Sequence, residues 1–167
     1  IDFHTALRSV LRQDPDVMMI GEMRDAESFA TALTAAETGH LVFSTLHTNS
    51  ASQTIDRIID SFPAEQQGQV ASQLAATLVA IVSERLIPRR DGGRTPACEI
   101  MITNAAIRNL IRERKVYQVD LVIETSSQEG MITLNHSLAN LVKRKEIFAE
   151  SAELYSLNPS ELRILIE

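Results

Sequence analysis

The chain has 167 residues, 44% of them hydrophobic and 23% charged, with a formal net charge of −6. That is enough for one domain, or one core with a small appendage, and the acidic balance argues against a general nucleic-acid-binding face. Cys98 is the single cysteine, which excludes an internal disulfide and a cysteine-rich zinc site and points to a reducing compartment.

No apolar run approaches ~18 residues, so no helical membrane span is expected, and no signal-peptide pattern is present. The chain starts Ile1-Asp2-Phe3 without a methionine, and is expected to be a piece of something longer. Residues 3–13 place Phe3, Leu7, Val10 and Leu11 on one helical face. Asp14-Pro15-Asp16 stops that helix, because the residue before a proline is pushed out of the α region. Val17-Met18-Met19-Ile20 is a short continuous apolar run, which fits a strand covered on both faces. Asp25 suits the N-cap of a helix over 26–38, and Gly39 its C-terminus. LVFSTL (41–46) reads as a second buried strand. Ser50 and Gln53 have the spacing of a capping box for a helix over 51–61. Pro63 suits the first turn of another helix, running to Glu84. Within 86–102, two extended stretches flank Asp91-Gly92-Gly93 and predict a hairpin.

To this point strands alternate with helices, which argues for an α/β layered core. From Asn104 the pattern turns helical, over 105–115, 116–126 and 134–145, with Asn158-Pro159 starting a last helix over 159–166. The expected division is therefore residues 1–103 as the layered core and 104–167 as a small helical subdomain.

Glu22 sits just past the end of the first strand. In open α/β sheets ligands bind at the carboxyl ends of the strands. A carboxylate there can hold the water shell of a magnesium ion or polarise an attacking water. The plainer reading is a glutamate helping the N-terminus of helix 26–38 electrostatically. His40 and His47 bracket the second strand, and His47 should emerge on the same side of the sheet as Glu22. An imidazole there could contact a phosphate or sense its loss. Thr45 and Thr48 read as satisfying local backbone groups. Arg24 and Asp25 read as a local ion pair plus helix cap, Arg57 as part of a solvated helix face near Asp56 and Asp60, and His4 and His136 as surface residues.

Three strings carry a resemblance. LRQDPDVMMIGEMRD (11–25) resembles the Walker B region of the secretion and type IV pilus ATPases. TAAETGHLVFSTLHTNSASQTIDRIID (34–60) is similar to that family's His box. AIRNLIRE (106–113) looks like the motif of its retraction branch, the PilT-like motors. The three occur in the family's order.

The resemblance implies a partial RecA-like P-loop ATPase core followed by a C-terminal helical subdomain. Glu22 would be the Walker B acid near magnesium, with His47 and His40 as the other catalytic candidates. Ala106, Ile107, Arg108, Asn109, Leu110, Ile111, Arg112 and Glu113 would form the retraction motif. By periodicity alone that segment is an amphipathic helix, with Asn104 as its cap. The implied parent is a hexameric motor using ATP and Mg2+ to retract type IV pili. It would work from the cytoplasmic face of the inner membrane against a pilus platform protein, without nucleic acid or zinc. The alternatives are a pilus-assembly or type II secretion ATPase, or a non-catalytic truncated assembly subunit. The four-cysteine module common in the assembly branch cannot be built from Cys98 alone.

No GxxxxGK[ST] string occurs in the chain, so the backbone cradle and lysine that hold nucleotide phosphates are missing. That loop, the acidic Asp box and the arginine-bearing N-terminal domain of the family are expected upstream of Ile1. The chain alone is accordingly expected to turn over no nucleotide, and to associate through the sheet surfaces left uncovered.

Overall fold

The computed structural model describes residue 6, residues 9–13 and residues 15–167, Leu11 without its side chain. Of the helix expected over 3–13, residues 3–5 (His4 among them), 7 and 8 lie outside these residues, as does Asp14; Ala6, Ser9 and Val10 are helical and Leu11–Gln13 form a 3-10 turn. The chain then runs β1 (Val17–Ile20), α1 (Ala26–Glu37), β2 (Leu41–Ser44), α2 (Ala51–Asp60), α3 (Ala64–Thr77), β3 (Ala80–Pro88) and β4 (Arg94–Ile102). It continues with α4 (Ala105–Arg112), α5 (Val119–Thr125), α6 (Leu134–Lys143), α7 (Ala149–Tyr155) and α8 (Pro159–Ile166). The fold is α/β. It forms two compact units, and α4 groups with the first unit while the β3–β4 hairpin groups with the second. This division does not coincide with the cut expected near 103–105.

The first unit comprises residues 1–48, 52–79 and 104–116. β1 and β2 pair in parallel, from Val17 opposite Leu41 to Ile20 opposite Ser44. The crossover helix α1 is capped by Asp25, whose Oδ1 accepts from the Ser28 N–H at 2.9 Å. It ends at Gly39, where φ of +102° makes glycine the suitable residue. Phe29 of α1 meets Phe62 with ring centroids 6.5 Å apart. α4 begins at Asn104, whose Oδ1 accepts from the Ile107 N–H at 3.0 Å. It packs on α3, with Ile107 and Ile111 fully buried.

The expectation that both faces of β1 are covered is not met. Met18 and Ile20 are buried, but Val17 is 55% and Met19 67% exposed, and Leu41 and Phe43 lie open beside them. The register puts Val17 with Leu41 and Met19 with Phe43, so the four share one apolar face. A continuous apolar run shows that both faces tolerate burial. What covers them comes from elsewhere in the structure.

The second unit comprises residues 49–51, 80–103 and 117–167. β3 and β4 form an antiparallel hairpin from Ala80 opposite Ile102 to Pro88 opposite Arg94. Its tip is the expected Asp91-Gly92-Gly93, with φ of +97° and +73° at the glycines. The helix predicted to reach Glu84 instead stops at Thr77, with Leu78 already extended. Val79, Ile81 and Val82 are β-branched and lose side-chain freedom in a helix, and exposure alternates along β3 as it does in a strand. Ile87, Ala97, Leu134, Leu138, Ile147, Ala152 and Leu162 form the core between hairpin and helices. The segment 116–126 is a 3-10 turn followed by α5, and α6 ends two residues before its expected stop. α8 starts where expected, with Asn158 accepting from the Glu161 N–H at 3.3 Å.

Glu99 is the one buried carboxylate among the described residues, at 7% exposure. Its Oε1 accepts from the Ala51 N–H at 2.7 Å, at the start of α2. Burial pushes its carboxyl up, the Ala51 N–H pulls it back, Asp120 adds to the rise and Arg85 opposes it. With a raised value the native state holds a proton that the unfolded chain has released. This contribution to stability is therefore full below the ordinary carboxylate range and declines as pH rises through the raised value. Glu99→Gln keeps an acceptor for Ala51 and should flatten the decline that sets in above the ordinary carboxylate range, read from urea midpoints. Glu99→Ala strands the Ala51 N–H and should cost about 1–3 kcal/mol.

Candidate functional site

The parallel ladder ends at Ile20 opposite Ser44. Beyond that point both chains leave the sheet on the same side, and the two predicted residues meet there. His47 Nε2 lies 3.4 Å from Glu22 Oε1. The other carboxylate oxygen, Oε2, accepts from Arg24 Nη2 at 2.6 Å. Arg57, on the helix after the His47 loop, donates from Nη1 to the His47 carbonyl at 3.1 Å. The Thr48 and Thr54 hydroxyls lie 2.7 Å apart.

The Arg24 guanidinium holds the Glu22 carboxyl below the usual carboxylate range, against some desolvation and with smaller contributions from His47 and Arg57. Glu22 is therefore ionised at neutral pH. His47 is open to solvent, while Glu22 is about three-quarters covered. The pair is an anion and a ring nitrogen facing outward from a rigid strand end, accessible to a ligand.

Asp25 is the helix cap, as expected. Arg24 forms a local ion pair, and its partner is Glu22. Arg57, read from sequence as a solvated charge, is tied to the His47 loop. His40 is not part of the cluster. It precedes β2, and its Nδ1 lies 3.0 Å from the Ala35 carbonyl and 3.1 Å from the Thr38 hydroxyl, closing the end of α1. His136 is half-buried with its Nδ1 2.9 Å from the Thr133 hydroxyl, which corrects its reading as a surface residue. At Gly21 φ is not positive and a Cβ would meet nothing within 4 Å. The turn into Glu22 does not itself require glycine.

Along the AIRNLIRE helix, Ile107 and Ile111 are buried and Leu110 is half-buried. Ala106, Arg108, Asn109, Arg112 and Glu113 are exposed. Asn109 donates to Glu113 at 3.0 Å, and Lys115 pairs with Glu113 at 2.7 Å. Lys115 and Asn109 hold the Glu113 carboxyl below its usual range.

Among the described residues no group of three or more His, Cys, Asp or Glu side chains could hold a metal ion. Glu22 on its own still fits a magnesium ion, which commonly keeps several waters and takes one or two protein carboxylates beside substrate phosphates. Among the described residues no helix is long and apolar enough to cross a membrane.

Fold and site together define an α/β protein whose candidate ligand face lies at the carboxyl ends of two parallel strands. The sequence matches the Type II/IV secretion system protein family over residues 1–154, and the chain belongs to that family. It is 53% identical over 152 residues to the type IV pilus retraction ATPase PilT of Pseudomonas aeruginosa, a match covering 91% of this chain and 44% of that protein. It is 48% identical over 163 residues to a twitching motility protein of Neisseria gonorrhoeae, covering 97% of this chain and 44% of that one. The crystal structure of the pilus retraction motor PilT with bound ADP superposes with a TM-score of 0.89 at 50% identity, over 98% of this chain and 46% of that chain. The chain thus spans somewhat under half the length of the relatives it matches.

Proposed function

We propose that this chain is the C-terminal part of a hexameric motor ATPase that drives type IV pilus retraction. The observation that carries the reading is the convergence of Glu22 and His47, 3.4 Å apart, at the carboxyl ends of paired parallel strands. The family match and the retraction ATPases among the relatives support it. The fuel is ATP with Mg2+, acted on at subunit interfaces, and the motor sits at the cytoplasmic face of the inner membrane against a platform protein. Residues 1–103 supply part of a RecA-like core. The apolar face of Val17, Met19, Leu41 and Phe43 is where the remainder of that core packs.

In this reading Glu22, ionised and fixed by Arg24, orients the water shell of the metal. His47 hydrogen-bonds the terminal phosphate and registers its departure. Bound Mg2+ supplies charge neutralisation on the phosphate oxygens. His40 acts through the α1–β2 junction, away from the phosphates. The AIRNLIRE helix turns hydrolysis into retraction through its exposed Arg108 and Arg112. The test is a strain carrying Arg108→Ala with Arg112→Ala in the full-length protein. ATP turnover by the purified motor should stay within about twofold of wild type while pilus retraction stops. Normal retraction by that strain overturns the assignment.

A further inference from the structure

Thr45 brackets Glu22. The β1–β2 ladder stops at Ile20 opposite Ser44, so the next pair, Gly21 and Thr45, has no ladder bond of its own. Thr45 bridges the gap twice. Its hydroxyl donates to the Gly21 carbonyl, and its own carbonyl accepts from the Met23 N–H at 3.4 Å. The residues on either side of Glu22 are both tied to this one threonine. The Met23 side chain is buried, so the short segment is anchored from below as well.

We infer that Thr45 is a positioning residue that sets the Glu22 carboxylate against His47. Thr45 stands two residues before His47, and Arg57 ties down the His47 carbonyl beyond it. Hydrogen bonds to the backbone therefore fix the segments carrying both members of the pair to a common strand end. A β-branched side chain has few χ1 states, which keeps the hydroxyl aimed at its acceptor. Valine matches the shape without the donor, and serine keeps the donor on a freer side chain. Positional errors of an ångström in such groups are costly in catalysis.

The inference rests on Glu22 and His47 being the working pair of the proposed ATPase, so two readouts keep the questions apart. The first uses this chain without nucleotide. In its crystal structure, Thr45→Val should move the Glu22 carboxylate away from its 3.4 Å approach to His47, beyond the ~4 Å reach of an ion pair, at an unchanged melting temperature. Thr45→Ser should retain the pair. A wild-type pair in Thr45→Val, or equal loss in Thr45→Ser, overturns the positioning role. The second readout is steady-state kinetics of the full-length protein. Thr45→Val should lower kcat about tenfold with KM for ATP within about twofold, and Thr45→Ser should recover most of the rate. An altered pair with unchanged kcat overturns the link to the reaction. A wild-type protein with no turnover at all defeats the ATPase reading, while the geometry of the pair still decides whether Thr45 positions Glu22.

Discussion

Glu22→Gln in the full-length protein is expected to lower kcat for ATP hydrolysis by about a hundredfold or more, with little change in KM. The substitution keeps the shape and leaves an amide oxygen for Arg24 to bond. It removes the negative charge that the Arg24 guanidinium holds in place. Nothing in the packing of the site should change, because the side chain reaches out from the strand end and its neighbours 21 and 23 are fixed by hydrogen bonds to the hydroxyl and carbonyl of Thr45. The loss should therefore fall on the chemical step and spare folding and nucleotide affinity. His40→Ala is the contrasting control. His40 bonds to the end of α1, so its removal should loosen that junction and leave kcat within about threefold. Steady-state hydrolysis and nucleotide affinity, measured side by side on both variants, check the pair of expectations.

Ile107→Ala should cost about 2–4 kcal/mol, a fall of roughly 6–12 °C in melting temperature. Ile107 is fully buried on α4, where the apolar stripe of the AIRNLIRE segment packs against α3. Deleting most of that side chain leaves a cavity that two packed helices cannot readily close. Arg108→Ala and Arg112→Ala, on the exposed face, should shift stability by less than about 0.5 kcal/mol each. The contrast separates two roles that the eight-residue string joins. Its isoleucines hold the helix in place, and its exposed polar residues are available to act on something else. A loss of retraction in Ile107→Ala would then report on folding, and thermal denaturation of the same preparation would show it.

The sequence makes the acid legible because β1 is short, apolar and followed at once by Gly21-Glu22. His47 is legible for the same reason, standing three residues beyond the end of β2. Caps at Asp25, Asn104 and Asn158 are local chemistry and appear where the sequence places them. Non-local features are harder to read. Val17 and Met19 look identical in the sequence to Met18 and Ile20, yet one pair is covered and the other open. The helix overrun to Glu84 arises because LVAIVSER offers apolar residues at both helical and strand spacings. Thr45 and Arg57 read as a routine backbone partner and a surface charge, since their partners are 24 and 10 residues away. Glu99 carries no signal at all. Its partner Ala51 is 48 residues distant, and only the fold brings them together.

Glu22 and His47 are proposed to form one nucleotide-facing site. It is tested most directly by a structure of the full-length protein with Mg2+ and a non-hydrolysable ATP analogue. The Glu22 carboxylate is expected within roughly 5 Å of the metal, across one bound water, with the His47 ring turned toward the terminal phosphate. A nucleotide bound with both side chains facing away from the phosphates would contradict it.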